Sequence, residues 1–437
     1  MSQPSVLWSP PEALLANSQM GRFLERVRQE NPEVRDYPAL HRWSTTHWEE
    51  FWKLWLSESA IQYGGDDSVI YAQQSSTLGG RFFPKVTLNF AENLLRHQSE
   101  APAIHALNEC GNEQMLTYVE LREQVRRFQH QLLELGVQKG DRIAAVLPNI
   151  PEAIIAMLAA TSLGAIWSSC SPDFGTQGVL KRFKQIRPKV LFVVDGYRYG
   201  GKDFSCREKF KSIVEELNSL EAVIQVNYLG VESVPMPMAP QVLLWESIAR
   251  VSPKHTLLFA QLPFNHPLYV LYSSGTTGVP KCIVHGAGGT LLQHAKELIL
   301  HSDLHPGDNL LYFTTCGWMM WNWLVSGLFT GAALTLYDGS PAHPKLGQLW
   351  EVAARKKVTH LGTSPKYIGS CRDKISPRKD HNLDSLRVLF STGAPLLSED
   401  FDWVYGEVSP DVLLASISGG TDIVSCFMLG NPLLAVH

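Results

Sequence analysis

Ten consecutive residues, 272–281, combine hydroxyl, glycine and lysine side chains in one short segment. The segment reads Tyr-Ser-Ser-Gly-Thr-Thr-Gly-Val-Pro-Lys and follows the apolar run PLYVL. Glycine lets backbone N–H groups approach an anion, hydroxyl groups donate hydrogen bonds, and lysine supplies positive charge. The pattern therefore predicts a phosphate-binding loop, and its predicted ligands are Ser273, Ser274, Gly275, Thr276, Thr277, Gly278 and Lys281.

The loop differs from the P-loop of kinases and GTPases in the residues around its lysine. A P-loop needs glycine directly before the lysine and serine or threonine directly after it. Here Pro280 precedes Lys281 and Cys282 follows it. The residues CIVHG at 282–286 are typical of a strand, so we expect the loop to join two strands. An ordinary surface turn rich in serine and glycine is the alternative, and the length of the string argues against it.

Histidine and cysteine side chains also lie close to this loop in the sequence. His285 ends the predicted strand, and a histidine in that position is more often packed or capping than a catalytic base. Cys282 and Cys316 are not accompanied by the pattern of a paired base. A thiol nucleophile is therefore not indicated.

The composition predicts that these residues belong to a large folded protein. The chain has 437 residues, of which 45% are hydrophobic and 18% are charged, and its formal net charge is −4. This balance excludes a generically basic nucleic-acid binder and a polybasic membrane clamp, and the length predicts about three lobes. The seven cysteines include no CxxC pair, so neither a zinc ribbon nor a disulfide scaffold is indicated. No signal peptide is recognised.

One uncharged segment is long enough to raise the question of a membrane span. Residues 310–337 contain no charged side chain over 28 positions, which passes the crude length test for a transmembrane helix. The segment nevertheless contains Asn322 and Ser326, its flanks are the acidic residues Asp308 and Asp338, and positively charged anchors are missing. We therefore expect buried elements in strand–helix–strand order, with a membrane span as the alternative.

Helices and strands alternate regularly after about residue 100. Thr117 and Glu120 form a capping box that opens a helix, and Gly136 ends it. Apolar strands are then predicted at 142–147, 165–170 and 190–195, separated by helices at 151–163 and 176–186. Uninterrupted apolar strands between helices predict an α/β fold, with parallel sheets covered by helices on both faces.

Three regions are predicted along the chain. Residues 1–99 form a tryptophan-rich segment that packs on the core, since Trp48, Trp52 and Trp55 recur at helical spacing. Residues 100–240 form a first α/β subdomain, which ends in the proline-broken segment VPMPMAP at 234–240. Residues 241–437 form a second α/β subdomain that holds the phosphate loop and the other motifs.

With this loop, the chain resembles the adenylate-forming superfamily of acyl-CoA synthetases, luciferases and peptide-synthetase adenylation domains. The likeness extends over roughly residues 35 to 425. LNFAENLLRH at 88–97 is similar to an N-terminal signature of the short-chain branch, and STGAP at 391–395 stands where the family contacts adenine. DGYRYGGK at 195–202, CGWMMWN at 316–322 and SGGTDI at 418–423 resemble the acetoacetate-activating members.

The resemblance implies an ATP-dependent acid–thiol ligase. A carboxylate attacks the α-phosphate of ATP, and the thiol of coenzyme A then displaces AMP from the acyl-adenylate. The implied small-molecule substrates are acetoacetate, ATP and coenzyme A, the implied cofactor is Mg²⁺, and the product supplies cytosolic lipid synthesis. The implied nucleotide-site residues, besides the phosphate loop with the catalytic Lys281, are Gly393, Ala394 and Pro395 at adenine, the catalytic Thr421 at the α-phosphate and Asp422 at Mg²⁺.

The resemblance also assigns an acyl pocket. Gly419 stands where acetate-activating members carry a tryptophan, so we expect a longer acid to fit. Trp318 matches a retained pocket tryptophan, and Met319 and Met320 belong to a run that reshapes the pocket. Asn322 is expected to bind a keto oxygen, and a satisfied core amide is the alternative.

Two basic residues match the coenzyme A site of the short-chain branch. Arg198 and Lys202 lie around glycines where the family contacts the 3′-phosphate of coenzyme A. Such cationic side chains suit a phosphate clamp. A solvated loop is the alternative.

The end of the sequence departs from the family pattern. Family members continue with an aspartate that binds the ribose, a hinge, and a small C-terminal domain with a catalytic lysine. This sequence stops 15 residues after Asp422. We therefore expect a shortened form that lacks the small domain, exposes apolar surface near its end and is weakly active or inactive. The alternatives are a non-catalytic binding decoy and a ligase for another short-chain acid.

Overall fold

The structure is a computed structural model that describes residues 5–73, 79–230, 241–273 and 278–437. Its strands are β1 (Gly64–Gly65), β2 (Tyr71–Ala72), β3 (Arg81–Phe82), β4 (Val86–Leu88), β5 (Pro102–Asn108), β6 (Glu113–Thr117), β7 (Arg142–Val146), β8 (Ile166–Cys170), β9 (Val190–Val194), β10 (Gly196–Tyr199), β11 (Lys202–Ser205), β12 (Ala222–Val226), β13 (Gln241–Leu244), β14 (Leu262–Pro263), β15 (Pro267–Ser273), β16 (Lys281–Gly286), β17 (Asn309–Tyr312), β18 (Ala333–Asp338), β19 (His360–Thr363), β20 (Val388–Ser391), β21 (Leu413–Ser416), β22 (Ser418–Gly420) and β23 (Ser425–Met428).

The helices surround these strands. They are α1 (Glu12–Asn17), α2 (Gln19–Glu30), α3 (Tyr37–Thr46), α4 (Trp48–Glu58), α5 (Phe90–Leu94), α6 (Tyr118–Glu134), α7 (Pro151–Ser162), α8 (Thr176–Ile186), α9 (Arg207–Glu216), α10 (Trp245–Ile248), α11 (Ala287–Lys296), α12 (Met319–Ser326), α13 (Gln348–Arg355), α14 (Pro365–Cys371), α15 (Pro377–Asp380) and α16 (Ser398–Trp403). Further helical turns are π-helical at Glu297–His301 and Val404–Val408 and 3₁₀ at Gly327–Thr330.

The first large sheet has the strand order β13-β12-β9-β7-β8-β15-β16 among the described residues. Its pairs are parallel except for the edge pair β15–β16, which is antiparallel. Strands β9 and β12 are buried at every position. Burial on both faces explains why their sequences are apolar throughout rather than alternating, and the predicted α/β class is confirmed.

The second large sheet has the order β21-β20-β19-β17-β18-β5-β6. It too is parallel, except for the antiparallel edge pair β5–β6. The uncharged segment forms β17, α12 and β18, and every residue of α12 is buried. The strand–helix–strand prediction is confirmed. In the described part of the chain, no helix combines the length and apolarity that crossing a bilayer requires.

The two sheets divide the chain differently from the predicted subdomains. Strands β5 and β6 precede the first sheet in sequence but join the second, whereas β15 and β16 follow residue 241 but complete the first. The boundary predicted at 240/241 therefore separates strands of the same sheet. Periodicity identifies a strand but carries no information about its pairing partner. The segment 234–240 lies outside the described residues.

Local sequence patterns between the two sheets are confirmed closely. Helix α6 begins with the capping box of Thr117 and Glu120, in which each side chain bonds the other residue's backbone N–H. Gly136 follows this helix with φ +66°. Each strand and helix predicted between 142 and 195 is present, with bounds that differ by at most one residue.

The tryptophan stripe near the N-terminus serves packing, as predicted. Trp55 on α4 is 2% exposed and lies edge-to-face with Phe23 of α2 at 5.7 Å. Its indole Nε1 donates to the Leu292 carbonyl of α11 over 3.0 Å. The N-terminal helices thereby pack on the helix that lies behind the candidate site.

Apolar side chains are exposed close to the last residues of the sequence. Phe427 and Met428 on β23 are 74% and 68% exposed. Val436 nevertheless pairs with the other end of the chain, since its N–H donates to the Trp8 carbonyl over 2.9 Å.

Candidate active site

A cavity of about 570 Å³ lies at the carboxyl ends of β20 and β21 and is called the motif cavity below. Three of the sequence motifs supply most of its wall. The lining residues are Trp318, Met319, Met320, Thr392, Gly393, Ala394, Pro395, Ser416, Ile417, Ser418, Gly419, Gly420, Thr421, Ser425, Cys426 and Met428. Segments that are far apart in sequence and were assigned to adenine, the acyl group and the α-phosphate therefore share one cavity, as is expected at strand ends in α/β proteins.

The adenine segment is held at the ends of two neighbouring strands. The Thr392 hydroxyl donates to the Ile417 carbonyl over 3.1 Å, and the Ile417 N–H donates to the Ser391 carbonyl over 2.7 Å. Gly393 has φ +105°, and a Cβ at this position would lie 4.0 Å from the Trp318 ring. Glycine thus permits a left-handed backbone at the wall of the cavity.

The Thr-Asp motif lies on a tight hairpin. Strand β22 pairs antiparallel with β23, and Thr421 and Asp422 lie in the connection between them. Gly419 lines the motif cavity, but a Cβ there would approach the Ser425 carbonyl oxygen to 2.3 Å. Close pairing of the two strands therefore requires glycine at 419. This reason differs from the predicted one, which was space for a longer acid.

A buried carboxylate holds the hairpin from behind. Glu297 follows α11, is 2% exposed, and accepts from the Ser425 hydroxyl (2.5 Å) and the Cys426 N–H (3.0 Å). It also accepts from the Trp323 indole N–H of α12 over 2.8 Å. One carboxylate thus connects the nucleotide hairpin with the helix that begins at the acyl-pocket residues.

Two histidines add further bonds to the same hairpin. His294 Nε2 lies 2.6 Å from the Val424 carbonyl, and His285 Nε2 lies 2.8 Å from the Thr421 carbonyl. Burial lowers the pKa of both imidazoles, so each is neutral at pH 7 and donates from Nε2. His285 is a packed histidine, as the sequence indicated, and it connects β16 with Thr421.

The predicted phosphate loop connects two strands, as expected, and these strands pair antiparallel. Ser273 at the end of β15 pairs with Lys281 at the start of β16. Gly278 has φ +82°, and the Lys281 side chain is exposed. Of the predicted phosphate ligands, Ser274, Gly275, Thr276 and Thr277 lie outside the described residues.

The predicted acyl residues divide between the cavity wall and the core. Trp318, Met319 and Met320 line the motif cavity at the start of α12. Asn322 is fully buried and is not among the lining residues. Within the described residues, its amide has no partner at hydrogen-bonding distance. The side chain still interacts with the Tyr269 hydroxyl, and this interaction opposes the rise in the pKa of Tyr269 that burial causes.

A second cavity, of about 320 Å³, is called the hairpin crevice because the β10–β11 hairpin lies over it. Strand ends of both large sheets contribute to it. Its lining residues are Pro148, Asn149, Ser171, Pro172, Asp173, Tyr197, Arg198, Tyr199, Phe204, Phe313, Thr314, Thr315, Tyr337, Asp338 and Gly339. Of the two predicted coenzyme A contacts, Arg198 lines this crevice, and Lys202 is exposed at the start of β11.

The hairpin crevice contains a carboxyl group with an unusual titration. Burial raises the pKa of Asp338 to about 6, against the effect of its hydrogen bonds. The Tyr228 hydroxyl donates to this carboxyl over 2.6 Å. Arg198, in contrast, donates from Nε to Asp203 over 2.7 Å, which leaves its terminal amino groups to face another acceptor.

The segment 314–318 separates the two cavities. Thr314 and Thr315 line the hairpin crevice, whereas Trp318 lines the motif cavity. Between them, the Cys316 carbonyl accepts from the Ser169 hydroxyl over 2.7 Å. Burial raises the pKa of the Cys316 thiol, which suits a structural cysteine and not a nucleophile.

Several residues of the site had no motif in the sequence. Ser425, Cys426 and Met428 line the motif cavity, and His294 and Glu297 hold its hairpin. The lining residues follow the Thr-Asp motif directly, which is the one feature that pointed to them. His294 lies on α11 and Glu297 begins the π-helical turn that follows it, and no motif marks either element.

The chain belongs to the AMP-binding enzyme family, whose model matches residues 90–430. It is 47% identical over 440 residues to the acetoacetyl-coenzyme A synthetase of Rhizobium meliloti (strain 1021), covering 100% of this chain and 67% of that protein. It is 42% identical over 445 residues to the acetoacetyl-CoA synthetase of Gallus gallus, covering 100% of this chain and 66% of that protein.

A solved structure agrees with these relatives. The acetoacetyl-CoA synthetase from Streptomyces lividans superposes with a TM-score of 0.93 at 40% identity, covering 99% of this chain and 67% of that chain. The present chain thus spans about two thirds of the length of the relatives that it matches.

Proposed function

We propose that this chain activates acetoacetate with ATP and transfers the acyl group to coenzyme A. The observation that carries the proposal is the motif cavity, where the segments assigned to adenine, the acyl group and the α-phosphate line one space. The similarity to acetoacetyl-CoA synthetases supports acetoacetate as the acid.

The first step forms acetoacetyl-adenylate. A carboxylate oxygen of acetoacetate attacks the α-phosphorus of ATP, the bond from that phosphorus to the bridging oxygen of the β-phosphate breaks, and pyrophosphate leaves with the electron pair. Gly393, Ala394 and Pro395 border the adenine, and Thr421 donates to an α-phosphate oxygen. Ser273, Gly278 and Lys281, with the loop residues between them, hold the β- and γ-phosphates. Positioning and charge neutralisation account for most of such a reaction.

The second step forms the thioester. The sulfur of coenzyme A attacks the acyl carbon, the thiol loses its proton, and AMP leaves with the bonding pair of the mixed anhydride. Arg198 and Lys202 bind the 3′-phosphate at the hairpin crevice. The position of segment 314–318 between the two cavities supports this arrangement, because the thiol must approach the acyl group from a site other than that of the nucleotide.

The donor set fits a magnesium ion that arrives with the nucleotide. In the described part of the chain, no group of three or more His, Cys, Asp or Glu side chains is arranged to hold a metal. Asp422 is exposed beside Thr421 and offers one hard oxygen ligand. Mg²⁺ is commonly bound by one or two carboxylates plus substrate phosphates. The ion would neutralise charge on the phosphates, and Asp422 would hold it.

The acid is selected where Trp318, Met319, Met320 and Gly419 line the motif cavity. These residues form an apolar wall, which suits the terminal methyl of a four-carbon acid. The keto-oxygen role proposed for Asn322 requires the amide to turn towards the cavity. The alternative is a ligase for a different short-chain acid. Comparing the rates with several acids distinguishes the two.

The cellular role follows from the product. We place the reaction in the cytosol, where acetoacetyl-CoA supplies lipid synthesis. A non-catalytic binding decoy is the alternative, and the exchange measurement below distinguishes it from the ligase.

Exchange of labelled pyrophosphate into ATP tests the proposal on the 437-residue chain. We expect exchange with acetoacetate, less with butyrate and least with acetate. Thr421→Ala should lower the rate by ~10², while the exposed control Thr256→Ala should keep it. Equal rates for all three acids contradict the choice of acetoacetate. Folded chain without exchange that still binds ATP favours the non-catalytic alternative.

A further inference from the structure

The Glu109 carboxylate joins the β10–β11 hairpin to the second sheet. Glu109 lies in the turn between β5 and β6. Its oxygens accept from the backbone N–H groups of Gly200 (2.9 Å), Gly201 (2.8 Å) and Ser340 (2.8 Å). One side chain therefore connects the hairpin tip with Ser340, two residues after the end of β18.

The glycines of the hairpin tip are suited to this contact. Gly200 and Gly201 have φ +62° and +76°, and successive N–H groups in such a turn converge on an anion. A Cβ at Gly201 would lie 2.8 Å from the His343 ring, and one at Gly339 would lie 2.7 Å from Glu109 Cβ. The glutamate thus fills a closely packed space between two turns.

Glu109 itself is fixed on the second sheet. Its N–H donates to the Asp338 carbonyl over 3.0 Å. The preceding Asn108 orders the turn, because its side-chain oxygen accepts from the N–H groups of Cys110 and Asn112, each over 3.0 Å. The carboxylate is therefore a rigid attachment point and not a mobile surface group.

The attached hairpin carries both cationic residues of the coenzyme A assignment. Arg198 pairs with Asp203 across the ladder, and Lys202 pairs with Tyr199 next to the tip. The other end of the hairpin is anchored by the Cys206 N–H, which donates to the Asp195 carbonyl over 2.9 Å. Glu109 bonds the two turn residues that lie between Tyr199 and Lys202.

We propose that Glu109 is a positioning residue that fixes the hairpin tip so that Arg198 and Lys202 present their charges to the 3′-phosphate of coenzyme A. This inference rests on the proposed function, which makes coenzyme A the ligand of the hairpin crevice. Glu109 acts through the backbone of the hairpin, since a carboxylate in direct contact with a phosphate would repel it.

Coenzyme A and 3′-dephospho-coenzyme A form a matched pair of ligands for the test. Calorimetric titration of the 437-residue chain measures the dissociation constant of each. We expect wild type to prefer coenzyme A by roughly tenfold, the worth of one good phosphate contact. In Glu109→Gln and Glu109→Ala the preference should fall towards one, because coenzyme A binds less tightly while the dephospho form is unchanged.

A second glutamate on the β5–β6 hairpin, which also carries Glu109, supplies the control. Glu113 on β6 forms ion pairs with Arg355 (2.8 Å) and Lys356 (2.6 Å). Glu113→Gln makes the same change of charge without loosening β10–β11, so it should keep the wild-type preference. Trypsin gives a readout independent of ligand, since cleavage after Arg198 and Lys202 should quicken in both Glu109 variants while the melting temperature stays close to wild type.

The possible outcomes separate the inference from the proposed function. An unchanged preference in both Glu109 variants overturns the inference alone. Tighter coenzyme A binding in those variants also overturns it, because Glu109 would then compete with the phosphate. Wild-type chain that binds neither ligand, or both equally, overturns the phosphate assignment and the inference with it.

Discussion

The motif cavity and the hairpin crevice lie on either side of segment 314–318, yet they are built differently. The motif cavity is lined mostly by three sequence motifs, and its hairpin is held from behind by two buried polar side chains, Glu297 and His294. The hairpin crevice is assembled from strand ends of both sheets, and its hairpin is attached at the tip by Glu109. The first site is therefore supported from within the core, whereas the hairpin tip over the second is attached near the surface.

The two regions also respond to pH in opposite directions. Burial lowers the pKa of His294 behind the motif cavity, whereas burial raises the pKa of Asp338 in the hairpin crevice to about 6. The stability that His294 contributes is therefore lost as the pH falls, whereas the stability that Asp338 contributes is lost as the pH rises. Five substitutions test these differences.

The largest effect is expected from removing the carboxylate behind the motif cavity. Glu297→Ala leaves the Ser425 hydroxyl, the Cys426 N–H and the Trp323 indole N–H without their acceptor. Since each buried donor costs roughly 1–3 kcal/mol, the free energy of unfolding should fall by at least about 3 kcal/mol. Urea denaturation measures this loss.

Removing the carboxylate at the hairpin tip provides the comparison for that loss. Glu109→Ala should cost less than about 1 kcal/mol, because water replaces its more accessible bonds. Equal losses for the two variants would contradict the distinction between core support and surface attachment.

The next effect concerns the charge in the hairpin crevice. Because the pKa of Asp338 is raised in the folded protein, its protonated carboxyl stabilises the fold at a pH below the pKa of the unfolded chain. That contribution is lost as the pH rises through the folded-state pKa, here between about 4 and 6. For Asp338 the loss between pH 4 and 7 is roughly 2 kcal/mol. Asp338→Asn keeps an acceptor for Tyr228 and should remove this loss. Parallel pH–stability curves for the two proteins would refute the assignment.

A smaller effect is expected at the adenine segment. Gly393→Ala places a Cβ at a backbone with φ +105° beside Trp318. A strain of about 1–2 kcal/mol should weaken ATP binding roughly tenfold and leave coenzyme A binding unchanged. Gly406→Ala is the control, since a Cβ there meets nothing within 4 Å. If both ligands weaken together in Gly393→Ala, the two cavities are not separate sites.

The smallest effect is expected at His294. Its folded-state pKa is lowered by burial, so the unfolded chain binds more protons as pH falls below the unfolded value, and stability is lost in that direction. His294→Gln should lose less stability than wild type between pH 7.5 and 5.5, measured by urea denaturation. A steeper decline in the variant would show that the histidine is charged in the folded protein.

Local patterns in the sequence predicted those parts of the molecule that depend on neighbouring residues. The two strands that flank the segment 274–280, the capping box at Thr117 and the strand–helix–strand order of 310–337 are all confirmed. Each depends on a propensity or a periodicity within about twenty residues.

Long-range contacts were not predictable in the same way. Glu109 bonds backbone groups 91 and 231 residues away, at Gly200 and Ser340, and nothing in its local sequence indicates them. Thr290, His294 and Glu297 recur at helical spacing, and the structure buries all three. Polarity marks such a stripe as exposed unless its partners are known.

Gly419 has a structural role that the resemblance did not indicate. The resemblance placed it at the acyl pocket, and it does line the motif cavity. The 2.3 Å approach of a Cβ to the Ser425 carbonyl oxygen depends on the hairpin pairing, which one-dimensional reasoning does not reveal.

The most direct test is a crystal structure of this chain with a stable analogue of acetoacetyl-adenylate, in which a sulfamate replaces the phosphate. We predict the purine beside residues 393–395, the sulfamate near Thr421 and the acyl group against Trp318 and Met319. Density for the analogue in the hairpin crevice, or elsewhere with the motif cavity empty, would contradict the account.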